Sequence, residues 1–356
     1  MSVALTIPES NTTTTAAIPL RKKKGFINYI HNFRGLAIVF VVAGHLLMKW
    51  QDDSRTHLFL KMFWENGSVL FVFIAGYLFQ HLSKKYEYKS YLVTKLKNVI
   101  MPYFIVSVPI IIYRLVTDDY PGYILSFSPG FMEWGTWKKI GFFILTGAHL
   151  QPLWFVPMIT IFYVISPLLM YIDRHPRLYA LLIIFIGLSF VAGREPFTDI
   201  LKMCVHFLSV YVFGMFLSRY KDEYLEFAKR YWIPITLITI LSLVVNYIYF
   251  DEYNGSMNYI QKMLFCCFFI YWLWRLDKYI PKVMGTLADL SFGIFFIHYY
   301  VLLVIKAVYE AVCHHPIPGN LVYWILYLAL VLAGTIIFIR IAKRILKDNS
   351  RQFIGS

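Results

Sequence analysis

Arg34 and His45 lie eleven residues apart in an otherwise apolar run at 27–48. At about 100° per residue, eleven steps nearly close three helical turns, so both side chains share one face, about 16 Å apart along the axis. A guanidinium in such a run is costly unless it is paired or hydrated. An imidazole titrates near neutrality and suits proton transfer or nucleophilic attack. Alone, Arg34 reads as a side chain snorkelling to an interface, and His45 as one bonded to a neighbouring helix. Their alignment on one face favours a shared site.

The element that positions them is a lipid-spanning helix. The 356 residues are 59% hydrophobic, 19% aromatic and 15% charged, with a mean hydropathy of +0.59. Soluble domains are about 45–50% apolar and about 25% charged, so this composition excludes a soluble enzyme and a disordered chain. It indicates an all-α integral membrane protein. Apolar runs recur at 27–48, 63–81, 98–116, 152–172, 178–193, 203–218, 231–250, 259–275, 288–306 and 320–341, to be set against the length of about 20 residues that spans a bilayer; the fifth and sixth are short. A half-helix is expected at 136–147.

The net charge of +14 would suggest nucleic acid in a soluble protein, but here no nucleic acid is expected. With the N-terminus inside, the expected inner loops hold most of the 34 lysines and arginines, and none of these loops lacks them. Ten transmembrane helices with both termini cytoplasmic are therefore expected. Residues 1–25 read as a disordered basic tail, 26–341 as the membrane domain and 342–356 as a cytoplasmic tail. Cys204, Cys266, Cys267 and Cys313 show no metal-ligand spacing. His149 is expected at a span mouth and His314-His315 in an outer loop, a weak metal signal by themselves, so no metal is expected.

Four stretches carry a resemblance. They are Arg34-Gly35-Leu36-Ala37 followed by His45; Asn66 to Tyr77, with its Gly-Ser-Val and paired aromatics; Leu153-Trp154-Phe155 with Tyr163 and Pro167; and Ser291-Phe292-Gly293-Ile294-Phe295-Phe296-Ile297-His298. In this order the chain resembles the integral-membrane acyltransferase-3 family. Two departures stand out. Ala75 occupies the family's second-span serine position, and Lys95 and Lys97 precede Pro102 where the family has an arginine pair. Lysines meet phosphates as point charges, without the bidentate fork of arginine.

The resemblance implies an O-acyltransferase, chiefly an O-acetyltransferase. It would move an acetyl group from cytoplasmic acetyl-CoA, as co-substrate, to a hydroxyl of a polysaccharide or lipid-linked glycan, in a multi-pass protein of the inner or plasma membrane. No tightly bound cofactor is implied. Arg34 and His45 are the candidate catalytic pair, with His45 as general base or as acyl carrier. Lys84, Lys85, Lys95 and Lys97 are candidates for the donor's phosphates, and Glu65, Tyr77, Trp154 and His298 are candidate lining residues. The rival reading is a transporter or exporter of a small polar solute, since intramembrane Arg and His also mark transport paths.

Overall fold

The computed structural model describes residues 27–47, 55–194 and 198–356, with the side chains of 250–255 left aside. The expected tail at 1–25 lies outside the described residues. The described residues are all-helical, with no strand among them. Six helices are long and apolar enough to cross a membrane, or up to nine if each of three bent pairs forms one crossing.

Helix α1 (Asn28–Leu47) carries Arg34 and His45. Helices α2 (Arg55–Trp64) and α3 (Gly67–His81) follow as one run that turns at Asn66. Asn66 takes a left-handed conformation, φ 58°, which asparagine tolerates better than most residues. Helices α4 (Tyr88–Lys95) and α5 (Met101–Thr117) are joined through a π-turn at Leu96–Ile100. After the short α6 (Gly122–Phe127), the expected half-helix appears as α7 (Thr136–Thr146), bent by 69° from the segment that contains α8 (Phe155–Val164).

The expected segment 152–172 is broken. A turn at Ile165 starts α9 (Ser166–Arg174), because Pro167 cannot continue the preceding hydrogen-bond ladder. Helix α9 stands at 107° to the segment that contains α10 (Leu181–Ala192). Then come α11 (Ile200–Arg219), the charged α12 (Lys221–Arg230) at 88° to α13 (Trp232–Ile248), α14 (Phe250–Arg275), α15 (Lys282–Cys313) and α16 (Leu321–Leu346). In residues 342–356, the expected tail, α16 continues to Leu346 and the chain folds back as α17 (Ser350–Ile354). The bend uses a left-handed Lys347, φ 48°. Ile354 is then buried, and Ser356 fills the space that a side chain at Gly293 would occupy.

Polar contacts knit the helix ends into two sets. At the Arg34 end, Asn28 Nδ2 donates to Asp277 at 2.5 Å, Arg219 pairs with Asp173 at 3.2 Å, and Tyr86 and Ser166 share a bond of 2.9 Å. At the His45 end, Asn66 Nδ2 donates to Asn258 Oδ1 at 2.7 Å, and Arg194 donates to Asn66. There Lys262, fully buried, donates to the last carbonyls of α2, Met62 O at 3.1 Å and Phe63 O at 2.7 Å. A cation is favoured at such a helix C-terminus.

Between the two ends, glycine permits close crossings. A Cβ on Gly76 of α3 would lie 2.0 Å from the Tyr211 carbonyl oxygen of α11, and one on Gly214 would lie 2.1 Å from that of Phe73. Small residues allow such backbone approach where lipid supplies no hydrophobic drive between helices. Gly76→Ala or Gly214→Ala should therefore force α3 and α11 apart and destabilise by about 1–3 kcal/mol, read as a lower melting temperature in detergent. Gly141→Ala and Gly187→Ala, where nothing lies within 4 Å, should leave it unchanged.

Candidate active site

Helix α1 packs along α15, and the two run in the same direction: Arg34 meets Ala288 and Ser291, while His45 meets His298. A Cβ on Gly35 would lie 2.4 Å from the Met284 carbonyl oxygen, so the glycine beside Arg34 lets α15 approach closely. Arg34 Nη2 donates to Ala288 O at 3.1 Å and to Ser291 Oγ at 2.9 Å. Ser291 Oγ in turn donates to Ala288 O at 2.8 Å. Asp289 is bridged to His31 at 3.5 Å. The guanidinium is thus held by fixed oxygens within the protein rather than snorkelling freely.

At the other end the His45 ring stacks on His298, with centroids 5.4 Å apart and planes at 28°, and meets Tyr299 edge-on at 5.6 Å. His298 is completely buried, and its Nδ1 lies 2.8 Å from Ile294 O and 2.9 Å from Phe295 O. Carbonyl oxygens only accept, so Nδ1 carries the proton. The tautomer and the orientation of the ring behind His45 are thereby set. Tyr299 Oη donates to Gln151 Oε1 at 3.1 Å, tying α15 to the turn Gln151–Trp154 that enters α8.

Two cavities flank this helix pair. The first, about 420 Å³, is lined by His45, His57, Lys61, Glu65, Gln151, Trp154 and Arg194 among others. The second, about 750 Å³, is lined by Arg34, Lys85, Lys95, Asn98, Lys343 and Arg351, with Glu87 and Asp289 as its carboxylates. Positive charge is in excess there. Glu87 is moreover engaged as the cap of α4, accepting from the Lys89 and Ser90 amides at 3.1 and 2.7 Å. The Lys95 ammonium lies 4.9 Å from the Tyr163 ring centre and 5.2 Å from that of Tyr91, and the π-turn beside it aims Asn98 into the same space. Three residues, Phe71, Phe155 and Phe292, line both cavities.

The expected site residues divide accordingly. Arg34, Lys85 and Lys95 share the second cavity, and His45, Glu65 and Trp154 share the first. Lys84 and Lys97 are exposed and line neither. On a helix, residues two apart do not face the same way, so Lys97 turns outward when Lys95 turns in. Tyr77 lines neither cavity; it is buried at the α3–α11 crossing and shares a bond of 2.9 Å with Tyr29. Trp154 is buried too, stacked on Phe207 at 5.6 Å with the Arg194 guanidinium 5.5 Å from its ring. His149, expected at a mouth, is fully buried and bonded to Ser107 at 2.8 Å and to Phe143 O at 3.0 Å. Sequence reasoning missed Gln151, Arg194, Lys343 and Arg351. The last two converge only because the chain reverses at Lys347, and no local pattern announces that turn.

These features define a class: a multi-pass helical membrane protein with two cavities at opposite ends of its helices, one strongly basic, linked by a helix that places a histidine at the other. Over residues 27–340 the chain matches the acyltransferase domain family, acyltransferase-3, and it belongs to that family. Comparison with curated proteins and with solved structures gives no match. The protein is thus a multi-pass membrane acyltransferase by family.

The opposed cavities can be tested on one helix face. Ser68 and Ala75 sit two turns apart on α3, Ser68 lining the first cavity and Ala75 the second. With the native cysteines replaced, Ser68→Cys in oriented vesicles should react with a membrane-impermeant maleimide from one side only, and Ala75→Cys from the other only. Labelling of both from the same side would contradict the geometry.

Proposed function

We propose that the protein is an O-acetyltransferase that takes an acetyl group from acetyl-CoA in the cytoplasm and passes it to a hydroxyl of a polysaccharide or lipid-linked glycan at the outer face of the inner or plasma membrane. The reading includes ten spans with both termini cytoplasmic. What carries it is that one helix face, the Arg34–His45 face of α1, reaches a basic cavity at one end and a histidine-bearing cavity at the other.

The chemistry follows from that separation. Arg34 and His45 stand about 16 Å apart along the axis, too far to act on one carbonyl. Arg34, with Lys85, Lys95, Lys343 and Arg351, therefore suits the phosphates of the donor, which needs positive charge and is cytosolic. A long, thin pantetheine arm would run from this cavity toward His45. There the imidazole takes the proton of the acceptor hydroxyl as its oxygen attacks the thioester carbonyl. The carbon–sulfur bond then breaks, and the proton passes to the departing thiolate. Trp154 and Gln151, beside His45, offer an aromatic face and an amide of the kind that holds sugar rings.

Support for the sidedness comes from the distribution of basic residues and from contacts that join residues of the expected inner segments: Asn28 with Asp277, Arg219 with Asp173, and Lys85, Lys343 and Arg351 around one cavity.

Purified protein in vesicles, given labelled acetyl-CoA and a panel of glycans, should transfer label to a glycan. His45→Ala should lower the rate by about 10²–10⁴-fold, the usual worth of a general base, while melting within a few degrees of the parent. Lys95→Met and Arg351→Met should raise the KM for acetyl-CoA in a salt-dependent way, whereas Lys97→Met should not. Gradient-driven solute uptake with no acyl transfer would instead mark a transporter.

A further inference from the structure

Besides α1, three helices reach from one cavity to the other, and each of these presents a single phenylalanine at the boundary. On α3, Ser68 lines the first cavity, Ala75 the second, and Phe71 both. On α15, Phe295 lines the first, Asp289 the second, and Phe292 both. At the start of α8, Trp154 lines the first, Ile159 the second, and Phe155 both. Two of these rings, Phe155 and Phe292, are joined through Phe295. Phe155 and Phe295 lie 5.5 Å apart, Phe292 and Phe295 6.2 Å apart. No charged side chain among the described residues lines both cavities. Among the described residues, these three phenylalanines are what the basic chamber and the histidine-bearing one share.

We propose that Phe71, Phe155 and Phe292 form an apolar partition whose aperture limits the size of the acyl group delivered to His45, and which seals the two faces of the membrane from each other between turnovers. The size limit rests on the acyltransferase reading above; the seal does not. A partition is a physical requirement here. Two water-accessible cavities reaching the same helix from opposite ends would otherwise join into a leak, and an apolar constriction closes such a path by excluding water. The same rings set a steric limit. The nucleotide stays in the larger basic cavity, and only the end of the pantetheine arm with its thioester enters the aperture. A short acyl group fits beside three phenylalanines, whereas each added methylene must displace ring volume. The transfer itself is unchanged: the acceptor oxygen bonds to the acyl carbon, the carbon–sulfur bond breaks, and the hydroxyl proton ends on the thiol.

Two measurements test this. In vesicles supplied with acetyl-, propionyl- and butyryl-CoA and native membrane glycans, the parent should favour acetyl, since a methylene in an apolar pocket discriminates by about 10–200-fold. Phe155→Ala and Phe292→Ala should cut the acetyl-to-butyryl ratio by at least about tenfold, mainly by raising butyryl transfer. Phe292→Leu should give an intermediate ratio, and Phe213→Ala, at a ring packed on Phe73 away from both cavities, should leave the ratio alone. In the second measurement, proteoliposomes holding a pH gradient should stay tight with the parent and leak several-fold faster with the triple alanine variant. Acetyl transfer with an unchanged chain-length profile in well-folded variants would overturn the size limit and leave the acyltransferase reading standing. A parent that transfers no acyl group would overturn that reading and the size limit with it. A tight triple variant would overturn the partition itself.

Discussion

Holding a guanidinium inside a lipid-spanning helix requires protein oxygens at a fixed distance, and Ala288 O and Ser291 Oγ supply them to Arg34. That contact sets how α1 lies against α15. Once α1 is held there, with Gly35 against the Met284 carbonyl, the two helices run side by side in one direction. The same packing then delivers His45 onto His298 and Tyr299 about three turns away. An intramembrane charge is expensive, and here its partner also aligns the rest of the site.

The remaining helices build chambers at the two ends of that pair. Around His45, the elbow at Asn66 is pinned by Asn258, Arg194 and the buried Lys262. Around Arg34, the π-turn after α4 and the reversal at Lys347 bring lysines and an arginine from distant parts of the chain into one cavity. The α3–α11 crossing at Gly76 and Gly214 is scaffold that backs the Arg34 chamber, whose lining includes Ala75 and Tyr211. Five basic side chains gather at the Arg34 end against two carboxylates, whereas His45, Gln151 and Trp154 mark the other end.

Much of this is legible in the sequence because lipid imposes a simple grammar. Apolar length marks the spans, and the 3.6-residue period places Arg34 and His45 on one face. The four stretches that carry the family resemblance lie on α1, α3, α8 and α15, the helices on which Arg34, His45 and the boundary phenylalanines sit. What the sequence hides depends on contacts between distant segments. Pro167 announces a break near Ile165 but not the angle of 107° that α9 makes with the segment after it. Lys95 and Lys97 look equivalent until helical rotation sends one inward and one outward. Tyr77 belongs to a family-like motif, yet its hydroxyl is committed to Tyr29. Lys343 and Arg351 read as part of a charged tail, and only the bend at Lys347 folds them against α5 and α15.

The account turns on a donor lying along the Arg34–His45 face with its phosphates among the lysines and its acyl end at the phenylalanine boundary. A structure of the protein with a non-hydrolysable acetyl-CoA analogue, in which a methylene replaces the thioester sulfur, measures this most directly. The account predicts phosphates within hydrogen-bond reach of Lys95 or Arg351 and the acetyl carbonyl between Phe71 and His45. An analogue bound elsewhere, with the Arg34 cavity empty of nucleotide, would contradict it.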